Sequence, residues 1–309
     1  MSMKLRVERL SVIMGVGLLG FVAGCPVVSP PPPVDPCEGV TCDAGETCVD
    51  GECVPEQPVD PCEGVTCDAG ETCVDGNCVP PAAFTNANAA RGGVMYDEFW
   101  AVAGVTAAEP TEDHPLWASR PDTVSNTRTG ADTWRCKECH GWDYKGVAGA
   151  YGSGSHQTGI AGIFGATLSA QEAFDLIKTD HSYGEAGLSD ADIWDLAKFV
   201  LEGQIDTDEI IDATGGFTGS VATGQTLYDN GIGTNLACAV CHGADGTQLL
   251  FDAGTVTLGG LANDNPWEVQ HKVRFGQPGT AMPSSVAGGG TTQDVADLAA
   301  YLQTLPQTP

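Results

Sequence analysis

Positive charge is scarce in this chain. Its 309 residues hold 13 Lys and Arg against 41 Asp and Glu, a formal net charge of −28. Such a surface repels the phosphates of DNA and RNA and anionic lipid headgroups, so nucleic acid is excluded as a partner. It keeps the chain soluble and favours basic protein partners. Between 26 and 81 there are twelve Asp and Glu and no Lys or Arg. The N-terminal apolar stretch is short. Leu10 to Ala23 has 14 residues, fewer than the roughly 20 that cross a bilayer. It follows Lys4, Arg6 and Arg9 and suits the apolar core of an export signal. Orphan thiols are absent as well. The 13 cysteines sort into Cys25, eight in two short repeats and four in two C-x-x-C-H motifs. Asp206, Asp208, Glu209 and Asp212 lack the spacing and the glycine of a calcium loop, and read as a solvated acidic linker.

Val22, Ala23, Gly24 and Cys25 close the apolar stretch and resemble a bacterial lipobox. The resemblance implies a signal peptide over 1–24, cleavage before Cys25 and a lipid on its sulfur. More than one acyl chain makes such an anchor stable. Pro26 rather than Asp follows the cysteine, which by family analogy implies the outer membrane of a Gram-negative cell. Residues 25–36 are a stiff, Pro-rich tether, with four prolines in a row after Ser29.

The run of 18 residues that starts at Val34 recurs at Val59, a period of 25. Each copy has four cysteines spaced C-x4-C-x5-C-x4-C: Cys37, Cys42, Cys48 and Cys53, then Cys62, Cys67, Cys73 and Cys78. A unit this small cannot bury enough apolar surface to fold unaided, so two disulfides per copy are expected in an exported chain. Three pairings per copy remain open. The copies resemble small EGF-like modules of bacterial surface lipoproteins, and 37–81 reads as a solvated, loop-dominated stalk.

Cys136, Cys139 and His140 form one C-x-x-C-H motif; Cys238, Cys241 and His242 form the other. Two thiols can add to the two vinyl groups of a haem, and the next residue then lies under the iron as its proximal ligand. Two copies on an exported chain predict two covalent haem c groups. The motifs are 102 residues apart, and the same shift carries Ile193, Leu196, Ala197 and Val200 onto Val295, Leu298, Ala299 and Leu302. Both sets are helical stripes. Ser189 with Asp192 starts the first of these helices and Gly203 stops it. Upstream, Gly92 and Tyr96 match Gly224 and Tyr228 with a shift of 132, so the first copy carries 30 extra residues ahead of its motif.

This order of elements resembles the class I cytochrome c domain in tandem. The resemblance covers 86–309 and implies an all-α fold in which opening and closing helices cross: domain one over 86–204 with its insertion, a linker over 205–217, domain two over 218–309. It also implies Met282, 40 residues past His242, as the sixth iron ligand of the second haem. The first copy has no Met between His140 and its closing helix. His181, 41 residues past His140, is the expected ligand there, with His156 as the alternative. Met95 is read as core, His114 as a surface-loop residue and His271 as lying on the solvent face of a short helix over 266–275. The insertion's Phe99, Trp100, Trp117 and Trp134 are read as core packing; with Trp142 and Tyr144 they are also the candidate wall of a substrate pocket. The function expected is electron transfer with redox protein partners, at the periplasmic side or cell surface. A di-haem oxidoreductase with a substrate site at the first haem is the alternative.

Overall fold

The structure, a computed structural model, describes residues 35–56 and 60–309; the export signal, Cys25 and most of the Pro-rich tether lie outside the described residues. The chain forms two compact units, one ending at Val59 and the other running from Asp60 to Pro309.

In the first unit, β1 (Glu46–Val49) and β2 (Glu52–Pro55) pair antiparallel. Asp50 and Gly51 turn the chain with φ of 51° and 87°, the positive values that a two-residue hairpin turn needs. Disulfides join Cys37 to Cys48 and Cys42 to Cys53. No residue of 35–56 is buried, so cross-links stand where a core would be. The second copy repeats this within the other unit. There β3 (Thr72–Val74) pairs with β4 (Asn77–Val79), with bonds Cys62–Cys73 and Cys67–Cys78. The fold is therefore not helical throughout. Each repeat is mostly turn and loop, with one short hairpin where its Asp-Gly turn brings two extended segments together.

The rest is helical: α1 (Ala82–Thr85), α2 (Ala89–Met95), α3 (Cys136–His140), α4 (Ala170–Asp175), α5 (Asp190–Lys198), α6 (Val221–Asn230), α7 (Ala239–His242), α8 (Leu258–Asp264), α9 (Pro266–Phe275) and α10 (Thr292–Leu302). Ser189 and Thr291 cap α5 and α10 with reciprocal capping boxes. Opening helix α2 packs on closing helix α5, and α6 packs on α10. The two pairs have the same contacts. A Cβ on Gly92 would lie 2.6 Å from the carbonyl carbon of Asp195, and one on Gly224 would lie 2.6 Å from that of Asp297. Asp195 accepts the Asn88 N–H at 2.7 Å, and Asp297 accepts the Ser220 N–H at 2.7 Å. Bare glycines let each pair of backbones touch. Met95, Phe99, Ile193, Leu196 and Ala197 fill one core; Tyr228, Val295, Leu298, Ala299 and Leu302 fill the other.

The stretch 205–217 is not a solvated linker, because Ile210, Ile211 and Phe217 are buried in the second core. Asp208, Glu209 and Asp212 are exposed, and Asp206 and Asp208 bind Lys145 at 2.7 and 2.8 Å. His271 is not on a solvent face but 1 % exposed. Helix α9 lies against the first helical half, where its polar side chains find partners. His271 meets the Gly93 carbonyl at 2.8 Å and the Tyr144 hydroxyl at 2.8 Å. Gln270 donates to the Trp142 carbonyl at 2.9 Å, and Arg274 donates to that of Gly203 at 2.7 Å. Lys272 binds the buried Asp97, which Arg135 also holds at 2.6 Å. Burial would raise the Asp97 carboxyl, but these cations outweigh it and lower it. Tyr96, Trp142, Tyr144, Phe199 and Phe275 complete an aromatic cluster at the same junction.

Candidate functional site

Each C-x-x-C-H segment is one short helix, α3 or α7, stopped by a glycine with φ of 79° (Gly141) or 80° (Gly243). A tyrosine at the end of the opening helix ties to it, and in the first half the Lys137 N–H also donates to the Tyr96 carbonyl at 3.2 Å. Tyr96 donates to the Gly141 carbonyl at 2.7 Å, and Tyr228 donates to that of Gly243 at 2.5 Å. The His140 carbonyl accepts from Gly146 at 2.9 Å and that of His242 from Gln248 at 3.1 Å. All eight repeat cysteines are paired, whereas Cys136, Cys139, Cys238 and Cys241 are free thiols. Burial pushes Cys136 to about 11, Cys139 to about 12 and Cys238 to about 11, the reverse of a low-pKa redox dithiol.

In the first helical half, burial pushes the His140 imidazole down to about 4, so it is neutral. Its Nδ1 lies 2.8 Å from the Ala161 carbonyl and must donate to it, which leaves the Nε2 lone pair for a metal. His181 follows a π-helical turn over Leu176–Asp180, a distortion frequent at functional sites. Its Nδ1 donates to the Leu176 carbonyl at 3.1 Å. The His140 and His181 rings are 6.3 Å apart between centroids. One iron bound by both would need about 6 Å, given metal–nitrogen bonds of about 2 Å. His156 is differently placed. Its Nδ1 lies 3.0 Å from Glu138 and its Nε2 lies 2.9 Å from Arg128, so neither ring nitrogen is free. The residues here fit a haem.

The insertion supplies the surroundings. Phe99, Trp117 and Trp134 are buried in it, and Trp134 Nε1 donates to the Glu112 carbonyl at 2.9 Å. Asn126 binds Glu138 at 2.6 Å and Lys137 binds it at 2.7 Å, between the two cysteines. Burial would raise the Glu138 carboxyl, but His156 and Lys137 hold it at about 2. His114 is not on a surface loop: it is 7 % exposed, with its ring 4.5 Å from that of Trp134. Burial lowers it to about 4. Glu138 belongs to the motif by its place between Cys136 and Cys139, but nothing in the sequence ties His114 or Asn126 to this neighbourhood, since the insertion has no counterpart in the other copy.

In the second half, His242 Nδ1 is buried without a hydrogen-bond partner, and burial lowers its basicity. Met282 is half-buried in a loop pinned on both sides of the motif. Ser284 donates to the Arg274 carbonyl at 2.7 Å and accepts at its own carbonyl from Asn235 at 2.9 Å. Asn235 sits three residues ahead of Cys238, and Thr234 binds the Gly288 carbonyl at 3.0 Å. Two thiols, an imidazole and a thioether form a donor set that suits a covalent haem.

The cytochrome c family model matches residues 221–306, from α6 through α10, including Cys238, Cys241, His242 and Met282. No curated protein and no solved structure matches the chain. The match supports a haem-based electron-transfer role for this part of the molecule.

Proposed function

We propose, starting from the cytochrome c domain at 221–306, that the chain is an electron carrier with two covalent haem c groups. The observation that carries this reading is the repeated frame around both motifs, from glycine contact to tyrosine–carbonyl bond. Cys136 and Cys139 would attach the first haem, with His140 and His181 as iron ligands. Cys238 and Cys241 would attach the second, with His242 and Met282. A c-type haem supplies reversible one-electron storage at its iron. The chain's own contribution is to hold the ligands still. The Ala161 and Leu176 carbonyls fix both imidazoles of the first site in the tautomer that leaves Nε2 unprotonated. The buried polar contacts of α9 hold the two halves at a set separation, which favours exchange between them. A substrate site at the first haem would need an open iron position; the His181 ring facing His140 argues against it.

The net charge of −28 favours a basic redox partner protein. Export and lipid anchoring at Cys25, in the bacterial outer membrane, rest on the sequence pattern alone. Cys25→Ser should release the protein from membranes or block its processing; a wild-type chain that is soluble and processed elsewhere would refute the anchor. The haem reading is tested by extraction with acid acetone. The protein should retain two haems per chain, and Cys136→Ala with Cys139→Ala should retain one. Retention of a single haem by the unaltered chain would overturn the two-haem reading.

A further inference from the structure

The 30-residue insertion is what distinguishes the first copy of the frame from the second. It delivers a buried histidine to the back of another. The His114 Nδ1 lies 3.1 Å from the Leu116 N–H and must accept from it, which places the ring's one proton on Nε2. That Nε2 lies 2.9 Å from the carbonyl oxygen of His181 and donates to it. His114 is itself held from behind. Its N–H donates to Thr133 Oγ1 at 2.8 Å, and its ring packs on Trp134. The segment it holds is otherwise under strain, since Ser182 has φ of 57°. Its other ties include the His181 N–H and Nδ1 to the Leu176 carbonyl at 2.9 and 3.1 Å, the Ser182 N–H to the Thr179 carbonyl at 3.1 Å and the Tyr183 hydroxyl to the Trp134 carbonyl at 2.7 Å. The carbonyl bond from His114 is the one that joins the insertion to the ligand residue itself.

We propose that His114 is a positioning residue for the first haem: by holding the His181 carbonyl it keeps the His181 ring on the iron and slows its exchange for outside ligands. The proposal rests on His140 and His181 being the ligands of that haem. It also gives the insertion a role. In the second half the Met282 loop is held by the Ser284 hydroxyl and the Asn235 amide, whereas His181 is held by a side chain that only the insertion provides.

The test is the rate at which cyanide binds the oxidised, haem-loaded full chain, followed with the ferric EPR spectrum. The second haem serves as the internal reference. His114→Phe keeps an aromatic ring against Trp134 and removes the N–H. It should speed cyanide binding at the first haem about tenfold, the equivalent of about 1.4 kcal/mol, which is the scale of one net hydrogen bond. His114→Gln retains a donor and should stay within about threefold of the unaltered protein. Thr133→Val loosens His114 from behind and should raise the rate by less than His114→Phe; it stands in should the Phe variant fail to fold. Unchanged rates in both variants overturn the proposal, as does a Gln variant as fast as the Phe variant. His181→Ala separates the two layers of the argument. If it leaves the ferric spectrum low-spin, the ligand reading itself fails. If it gives a high-spin first haem while His114→Phe leaves the rate unchanged, only the role of His114 fails.

Discussion

Replacing Gly92 with alanine tests whether the first helical half is built on the same frame as the second. In an open helix this substitution stabilises by up to about 1 kcal/mol, because alanine is the better helix former. Here the new methyl would lie 2.6 Å from the Asp195 carbonyl carbon and 2.8 Å from Phe199 Cβ. Carbon atoms rest about 3.5–4.0 Å apart, so α2 and α5 must separate by about 1 Å. Neither neighbour can swing away. The Asp195 carbonyl accepts the Phe199 N–H inside its own helix, and Phe199 is fully buried. Separation would also stretch the 2.6 and 2.7 Å ion pairs of Arg91 with Asp192 and Asp195. Overpacking of this kind costs about 1–3 kcal/mol, and the loosened contacts around it add to that. We expect a net loss of about 2 kcal/mol, read as a fall of about 4–8 °C in the thermal midpoint of the haem-loaded protein. Gly224→Ala should act in the same sense, since its methyl would meet Asp297 and Tyr301 at 2.6 and 2.9 Å. Circular dichroism melts of the two variants beside the unaltered protein decide the matter. A Gly92→Ala protein as stable as the original, or more so, would refute the close crossing of α2 and α5.

Two further outcomes follow from the ligand sets. A thioether from Met282 favours ferrous iron, whereas a second imidazole favours ferric iron. Voltammetry should therefore give two reduction waves, the lower from the haem on Cys136 and Cys139, and Met282→His should lower only the upper one. His156→Ala should leave the ferric EPR spectrum low-spin at both haems, because both of its ring nitrogens are spent on Glu138 and Arg128; a high-spin first haem in that variant would move the ligand assignment to His156.

What was legible in the sequence is what short-range chemistry specifies. A C-x-x-C-H motif is read within five residues, and a stripe such as Ile193, Leu196 and Ala197 within two helical turns. Ser189 and Asp192 form a capping box with their own neighbours, and α5 begins after them. The 102-residue repeat makes the two halves comparable in sequence alone. Tertiary structure decided whatever depends on a distant partner. Three disulfide pairings per repeat were open until the hairpins brought third and fourth cysteines back to the first and second. His181 and His156 were rivals by spacing, and only folding shows one facing His140 and the other bound to Glu138 and Arg128. His271 reads as lying on a solvent face because polar side chains normally seek water. His271, Lys272 and Arg274 are buried because the first half offers carbonyls, a tyrosine hydroxyl and Asp97 in place of water, and partners 71 or more residues away leave no mark on local pattern.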